Sequence, residues 1–143
     1  MHYKSVQREL RKAKDLLERS KSVSNVKDKV SRAYYACFHV AVSAIWLKAD
    51  FTERGTTHEN MFNQYRALYT KTKGTHITSK GNVFDNLKKW KKLREKADYV
   101  VFDKLFDSKN RRDTSTILKD MYDFVAIHIA HIEKALLNSQ EET

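Results

Sequence analysis

The sequence has no proline, only three glycines and a single cysteine among its 143 residues. An all-β sandwich or barrel of this length needs many tight turns, which proline and glycine usually supply, so the composition disfavours that class. The lone Cys37 cannot form an internal disulfide or supply a cysteine-rich zinc module. We therefore expect a helical protein from a reducing compartment.

The chain also lacks a long apolar run. No stretch approaches the ~18 apolar residues of a transmembrane helix, and the N-terminal residues contain no apolar signal-peptide segment. With 41% hydrophobic and 32% charged residues, the composition is that of a globular domain. We expect one cytoplasmic domain spanning residues 1–143, with no membrane among its partners.

The charge is positive and unevenly distributed. The formal net charge is +10, and two segments, residues 1–32 and 71–96, have net charges of +6 and +7. The segment between them is neutral, and residues 97–143 carry −3. The two basic segments are either solvated helix faces or parts of one surface that binds a phosphate backbone.

Apolar residues at helical spacing predict five helices and no strand. The predicted helices cover approximately residues 3–20, 26–47, 57–69, 83–97 and 113–137. The second is apolar over most of its circumference, which is typical of the central helix of a bundle. Residues 70–82 hold two of the glycines and predict an exposed, mobile loop. The expected fold is an all-α, antiparallel bundle of about five helices.

One face of the second helix is polar. Arg32, Tyr35, His39 and Ser43 follow one another at i, i+3, i+7 and i+11 and form what we call the polar stripe. An arginine that fixes a phosphate and a histidine that moves a proton are the minimum for metal-free RNA cleavage through the 2′-hydroxyl. The alternative is a buried structural network, and Tyr35 has the further option of stacking on a base.

The fourth predicted helix supplies a second group of candidates. Arg94 lies beside its apolar face, so the guanidinium needs either a salt bridge to Asp98 or a phosphate in a cleft. Nearby lysines would steer RNA towards that cleft; they are Lys88, Lys89, Lys91 and Lys92.

Other groups of candidate functional residues give weaker signals. His128 and His131 are neighbours on the surface of the last predicted helix, but no further metal ligands are evident. Phosphate-binding glycine loops and zinc-protease motifs are missing, so we expect neither a metal nor a cofactor. Trp46 is the best aromatic candidate for an interface.

Three blocks of sequence, in order, resemble small stand-alone proteins of the HEPN domain family. The first runs from Ser31 to Ala41 in the second helix, the second is the pair Thr57-His58, and the third runs from Leu93 to Tyr99. The resemblance covers about residues 5–137. It implies a helical bundle that commonly forms a homodimer, in prokaryotic toxin–antitoxin or defence systems, often with a nucleotidyltransferase as antitoxin.

Many HEPN proteins are metal-independent endoribonucleases, and their active site is an Arg followed after four to six residues by a His. By this resemblance Arg94 is the phosphate-binding arginine, but Tyr99 stands where the family has His. Either His39 or His58 supplies the imidazole, or the protein binds RNA, a nucleotide or a nucleotidyltransferase without cutting.

In the catalytic interpretation Arg94 holds the scissile phosphate and His39 acts as general base or acid. Arg32 orients His39 or adds a second cationic contact. Asp98 would position Arg94, while Tyr99 would hydrogen-bond the phosphate or ribose, or accept a nucleotidyl group from a partner. A third hypothesis is a structural helical interaction protein whose positive charge serves only solubility.

Overall fold

The structure of the protein is a computed structural model. It describes residues 3–48, 58–69, 90–92, 94–95 and 108–141. Helices account for all of these residues except 23–25, and no strand occurs among them. The helices are α1 (Tyr3–Ser22), α2 (Val26–Lys48), α3 (His58–Tyr69) and α4 (Ser108–Glu141). Residues 90–92 and 94–95 are also helical and are called the 90–95 segment. The all-α fold predicted from the sequence is confirmed, whereas the predicted loop 70–82 lies outside the described residues.

Helices α1 and α2 form an antiparallel hairpin joined by residues 23–25. Asn25 caps α2, because its Oδ1 accepts a hydrogen bond from the backbone N–H of Asp28 at 3.2 Å. Lys29 Nζ donates to the carbonyls of Ser20 and Lys21 at 3.2 and 3.1 Å. These carbonyls belong to the last turn of α1, where a cation compensates the negative end of the helix.

Two buried serines fix the register of the hairpin. At its closed end Ser20 Oγ donates to the carbonyl of Lys29 at 2.7 Å, and at its open end Ser43 Oγ donates to the carbonyl of Val6 at 2.8 Å. The buried residues of α1 follow the helical spacing seen in the sequence; they are Val6, Glu9, Leu10, Ala13, Leu17 and Ser20. Nearly the whole length of α1 is therefore packed against α2.

Helix α2 is the central element, as its sequence predicts, because α1, α3 and α4 all pack against it. Cys37 is fully buried and its Sγ donates to the carbonyl of Met121 in α4 at 3.6 Å. Burial raises the pKa of the Cys37 thiol well above its usual value, so the thiol stays protonated and its role is packing. Helix α4 runs antiparallel to α1, with Lys21 over the Tyr122 ring and Lys14 paired with Glu133.

The last helix is longer than its sequence pattern predicts. It extends from Ser108 to Glu141, whereas the apolar spacing indicates residues 113–137. The added first turn, residues 108–112, is entirely polar and carries no hydrophobic periodicity. Periodicity marks only the part of a helix that packs, which explains why the two polar ends were not predicted.

The sequence predicted that His128 lies on the helix surface and that Trp46 takes part in an interface. Both predictions are wrong, because the two side chains are buried. His128 has no exposed surface, and Trp46 is only 4% exposed and belongs to the hydrophobic core. Both lie at helical spacing from other core residues: Phe124 and Ile132 flank His128, and Val42 precedes Trp46 by one turn. Neither residue offers a surface to a metal ion or a partner.

Candidate functional site

The structure divides the polar stripe into two parts. Arg32, Tyr35 and His39 are partly exposed, whereas Ser43 is fully buried. The Ser43 hydroxyl donates to the carbonyl of Val6, so it holds α1 against α2. The part of the stripe that can meet a ligand therefore ends at His39, about one turn before Ser43.

Arg94 of the 90–95 segment packs against the polar stripe. Its guanidinium carbon lies 5.3 Å from the centre of the Tyr34 ring and 5.4 Å from that of the Tyr35 ring. The two tyrosine rings meet edge to face, with centroids 5.4 Å apart and an interplanar angle of 75°. Arginine is the cation best suited to such aromatic faces, because its guanidinium is planar and weakly hydrated.

The environment of Tyr34 shows that this contact lies at the edge of the core. Tyr34 is fully buried, and burial raises its pKa well above the usual value. The positive charge of Arg94 opposes that shift. The guanidinium thus contacts one buried and one partly exposed ring. These contacts restrict its position more than water would restrict that of a fully solvated arginine.

This packing brings together two groups of candidates that are distant in the sequence. Tyr35 follows Arg32 by three residues and precedes His39 by four, so the three side chains are neighbours on one face of α2. Because Arg94 contacts the middle member, Tyr35, it adds a second guanidinium group to the patch of surface on α2 that carries Arg32 and His39. We call this patch the α2 site (Arg32, Tyr35, His39 and Arg94).

A fifth residue belongs to the site and was missed in the sequence. Glu9 of α1 has no exposed surface, and its Oε2 lies 2.6 Å from Nδ1 of His39, whose side chain is 16% exposed. The other carboxylate oxygen lies 3.7 Å from Nζ of Lys12. A signal was present, because Glu9 follows Val6 by three residues and precedes Ala13 by four, which places it on the buried face of α1.

The predicted lysines and the partners of Arg94 are described only in part. Lys91 pairs with Glu95 at 3.6 Å, and Lys92 is exposed on the same segment. The other candidates of this region lie outside the described residues; they are Lys88, Lys89, Asp98 and Tyr99. Because Asp98 is among them, the predicted Arg94–Asp98 salt bridge stays a prediction. The side chain of His58 also lies outside the described residues.

The structure offers no support for metal binding through His128 and His131. His128 Nδ1 lies 2.9 Å from the carbonyl of Phe124, to which it donates, and its Nε2 accepts from the Tyr65 hydroxyl. Burial lowers the pKa of His128 to about 3, so the ring is neutral. Within the described ranges, no group of three or more His, Cys, Asp or Glu side chains is placed to hold a metal ion.

A cavity of about 590 Å³ lies away from the α2 site, between the α1–α2 connection and α4. Lys21, Lys29 and Tyr122 are among its lining residues. Lys29 caps the carbonyl end of α1 and the Lys21 ammonium lies over the Tyr122 ring, so these cations have structural partners. None of the predicted site residues lines this cavity.

Comparison with protein-family models, with curated proteins and with solved structures finds no significant match. The resemblance to the HEPN family therefore rests on the three sequence blocks alone. In the part of the chain that the structure describes, no helix is long and apolar enough to cross a membrane.

Proposed function

We propose that the protein binds RNA through the α2 site and cleaves it without a metal ion. The observation that carries this proposal is the contact of Arg94 with Tyr35, the residue that lies between Arg32 and His39 on the face of α2. Two guanidinium groups and one imidazole at a partly exposed surface match the needs of phosphodiester cleavage: charge stabilisation and proton transfer.

The reaction uses the 2′-hydroxyl of the RNA as nucleophile. His39 removes the proton from that hydroxyl while the 2′ oxygen forms a bond to phosphorus, and the bond from phosphorus to the 5′ oxygen breaks. The leaving 5′ oxygen takes a proton from water, and the imidazolium later returns its proton to the resulting hydroxide. The products are a 2′,3′-cyclic phosphate and a 5′-hydroxyl, and Arg94 and Arg32 stabilise the charge that develops on the phosphate oxygens.

Charge and aromatic character support RNA as the ligand. The segment 71–96, which includes Arg94, carries a net charge of +7, and a basic surface gathers a polyanion. Tyr35 is partly exposed and presents an aromatic ring beside the two arginines, which is a suitable platform for an unpaired base.

A second candidate is a HEPN-type module that binds RNA, a nucleotide or a nucleotidyltransferase without cutting. It is favoured by Tyr99, which stands where the family pattern has His. Tyrosine ordinarily titrates near pH 10, so it is a poor general base at neutral pH. The resemblance also supports a homodimer acting in a toxin–antitoxin or defence system, and the single cysteine supports a reducing, cytoplasmic location.

The experiment is a pair of assays on the same labelled RNA in EDTA. Binding is measured by fluorescence anisotropy, and cleavage by gel electrophoresis followed by identification of the 2′,3′-cyclic phosphate end. We expect both binding and cleavage from the wild-type protein. Binding without cleavage supports the second candidate, and the absence of both leaves the structural interaction protein as the better account.

A further inference from the structure

We infer that Glu9 is a positioning residue: it holds His39 in the tautomer with hydrogen on Nδ1, so that Nε2 is the nitrogen that exchanges a proton with RNA. This inference rests on the proposed function for its link to catalysis. Its structural part, the tautomer of His39, stands on the contact between α1 and α2 and is testable without any substrate.

The contact determines which nitrogen carries the hydrogen. Glu9 Oε2 lies 2.6 Å from His39 Nδ1, a distance that requires one hydrogen between the two atoms. Oε1 lies 3.7 Å from the Lys12 ammonium, and a carboxyl group is ordinarily a stronger acid than an imidazolium, so we assign the shared hydrogen to the ring and not to Glu9. Because an ionised carboxylate only accepts hydrogen bonds, Nδ1 must donate. In the neutral ring Nε2 is then the acceptor.

The orientation of the ring follows from the same contact. Nδ1 and Nε2 lie on different edges of an imidazole, and Glu9 is completely buried between α1 and α2. The Nδ1 edge therefore faces the hairpin interior, and the inference assigns the opposite edge, with Nε2, to the α2 site; the side chain as a whole is 16% exposed. The Phe38 ring meets the imidazole edge to face at 5.4 Å and further limits its rotation.

Stability alone is a weak reason for this pair. Burying a carboxylate costs free energy that its partner only partly returns, and well-packed apolar residues commonly replace such pairs without loss. Buried carboxylate–imidazole contacts are frequent where a histidine transfers protons, because the carboxylate sets the tautomer and stabilises the imidazolium. His39 is partly exposed beside the arginines and Tyr35 of the α2 site, so a role for Glu9 in proton transfer is chemically reasonable.

The direct test is nuclear magnetic resonance of the protein labelled with ¹⁵N in its histidine rings, with His39 assigned from a His39→Gln variant. We expect the neutral His39 ring of the wild-type protein to carry its hydrogen on Nδ1. A ring that carries hydrogen on Nε2 overturns the inference, and this measurement needs no other variant to fold.

The second arm compares Glu9→Gln with Glu18→Gln, an exposed glutamate on the same helix. The glutamine amide both donates and accepts, so Glu9→Gln should give a mixture of the two tautomers and lower the RNA cleavage rate at least tenfold. RNA affinity should change less than twofold, because Glu9 is buried. Glu18→Gln should leave all three quantities unchanged.

The outcomes separate this inference from the proposed function. Undiminished cleavage by Glu9→Gln, under conditions where His39→Gln abolishes it, overturns the positioning role. A wild-type protein with hydrogen on Nδ1 that does not cleave RNA contradicts the proposed function, while it supports the tautomer assigned to His39.

Discussion

The guanidinium carbon of Arg94 lies 5.4 Å from the centre of the Tyr35 ring. This contact joins the 90–95 segment to the polar stripe of α2. Without it, the site would hold one arginine and one histidine on a single helix, a spacing that occurs often by chance. With it, a second guanidinium group contacts the face of α2 that carries Arg32 and His39, and that face gains positive charge that can attract a phosphodiester.

The contact of Arg94 with the two tyrosine rings is testable through the shape of the cation. Arg94→Lys keeps the positive charge but loses the planar group that packs on Tyr34 and Tyr35 and that binds phosphate through two hydrogen bonds. We expect RNA affinity to fall about tenfold, which corresponds to ~1.4 kcal/mol of binding free energy. Affinity is measured by anisotropy at fixed salt, and thermal unfolding checks that the variant is folded.

The aromatic platform is tested with a matched pair at Tyr35. Tyr35→Phe retains the ring and should keep RNA affinity within about twofold, whereas Tyr35→Leu removes the ring and should weaken binding by ~1–3 kcal/mol if a base stacks there. Equal affinities of the two variants would show that the ring of Tyr35 does not contact RNA.

Electrostatic steering by the 90–95 segment predicts a change in salt dependence. Lys92 is exposed on this segment, so Lys92→Ala should reduce the slope of log affinity against log salt by about 0.7 if the lysine contacts one phosphate of a single strand. Lys14→Ala is the control, because Lys14 pairs with Glu133 on the α1–α4 side. A slope that changes equally in both variants would indicate only a loss of overall charge.

The sequence predicted α1 and α2 to within two residues because both helices bury a long, regular apolar face. It placed Arg32, Tyr35 and His39 on one face for the same reason. The position of Arg94 could not be predicted, since periodicity assigns a residue to a face of its own helix and does not specify which helix it meets.

Glu9 and His128 show a different kind of omission. Both occupy core spacing and both are titratable, but glutamate is rarely fully buried unless it is paired, and histidine is intermediate between buried and exposed residues. Each is buried because a specific partner satisfies it: His39 for Glu9, and Tyr65 together with the Phe124 carbonyl for His128. Such pairings join different helices or depend on a side-chain rotamer, so one helical pattern does not reveal them.

The buried His128 predicts a pH dependence of stability. Its pKa is lowered to about 3 in the folded protein by burial, while the unfolded chain titrates near the ordinary value of about 6.5. The unfolded chain therefore binds a proton between these two values that the folded protein does not. The stabilising contribution is complete above about pH 6.5 and is lost as the pH falls towards 3.

We expect this effect to lower the unfolding free energy by about 2 kcal/mol between pH 6.5 and 5. His128→Gln keeps an acceptor for Tyr65 but does not titrate, so its loss over the same interval should be smaller by about that amount. Urea unfolding at the two pH values gives the comparison. His131→Gln is the control. Burial lowers the pKa of His131 in the same direction, but its side chain is only partly buried, so this substitution should change the pH dependence less.

The hydroxyl of Tyr65 provides a separate test of the same contact. Tyr65→Phe removes the donor to His128 Nε2 inside the core and should cost about 1–3 kcal/mol of unfolding free energy. Tyr122→Phe also removes a single hydroxyl, which bonds to Ser20 Oγ in a half-buried position, and should cost less, about 0.5–1 kcal/mol. A larger loss from Tyr122→Phe would contradict the assignment of His128 as a buried acceptor.

In the proposed function Arg94 and His39 act together on RNA, and this is measured most directly by cleavage of total RNA and transfer RNA in EDTA. The wild-type protein is compared with Arg94→Ala and His39→Ala, with Lys14→Ala as a control for net charge. We predict cleavage by the wild-type and control proteins that each of the two site substitutions abolishes. Cleavage that survives both substitutions, or a wild-type protein that binds RNA and leaves it intact, would contradict the account.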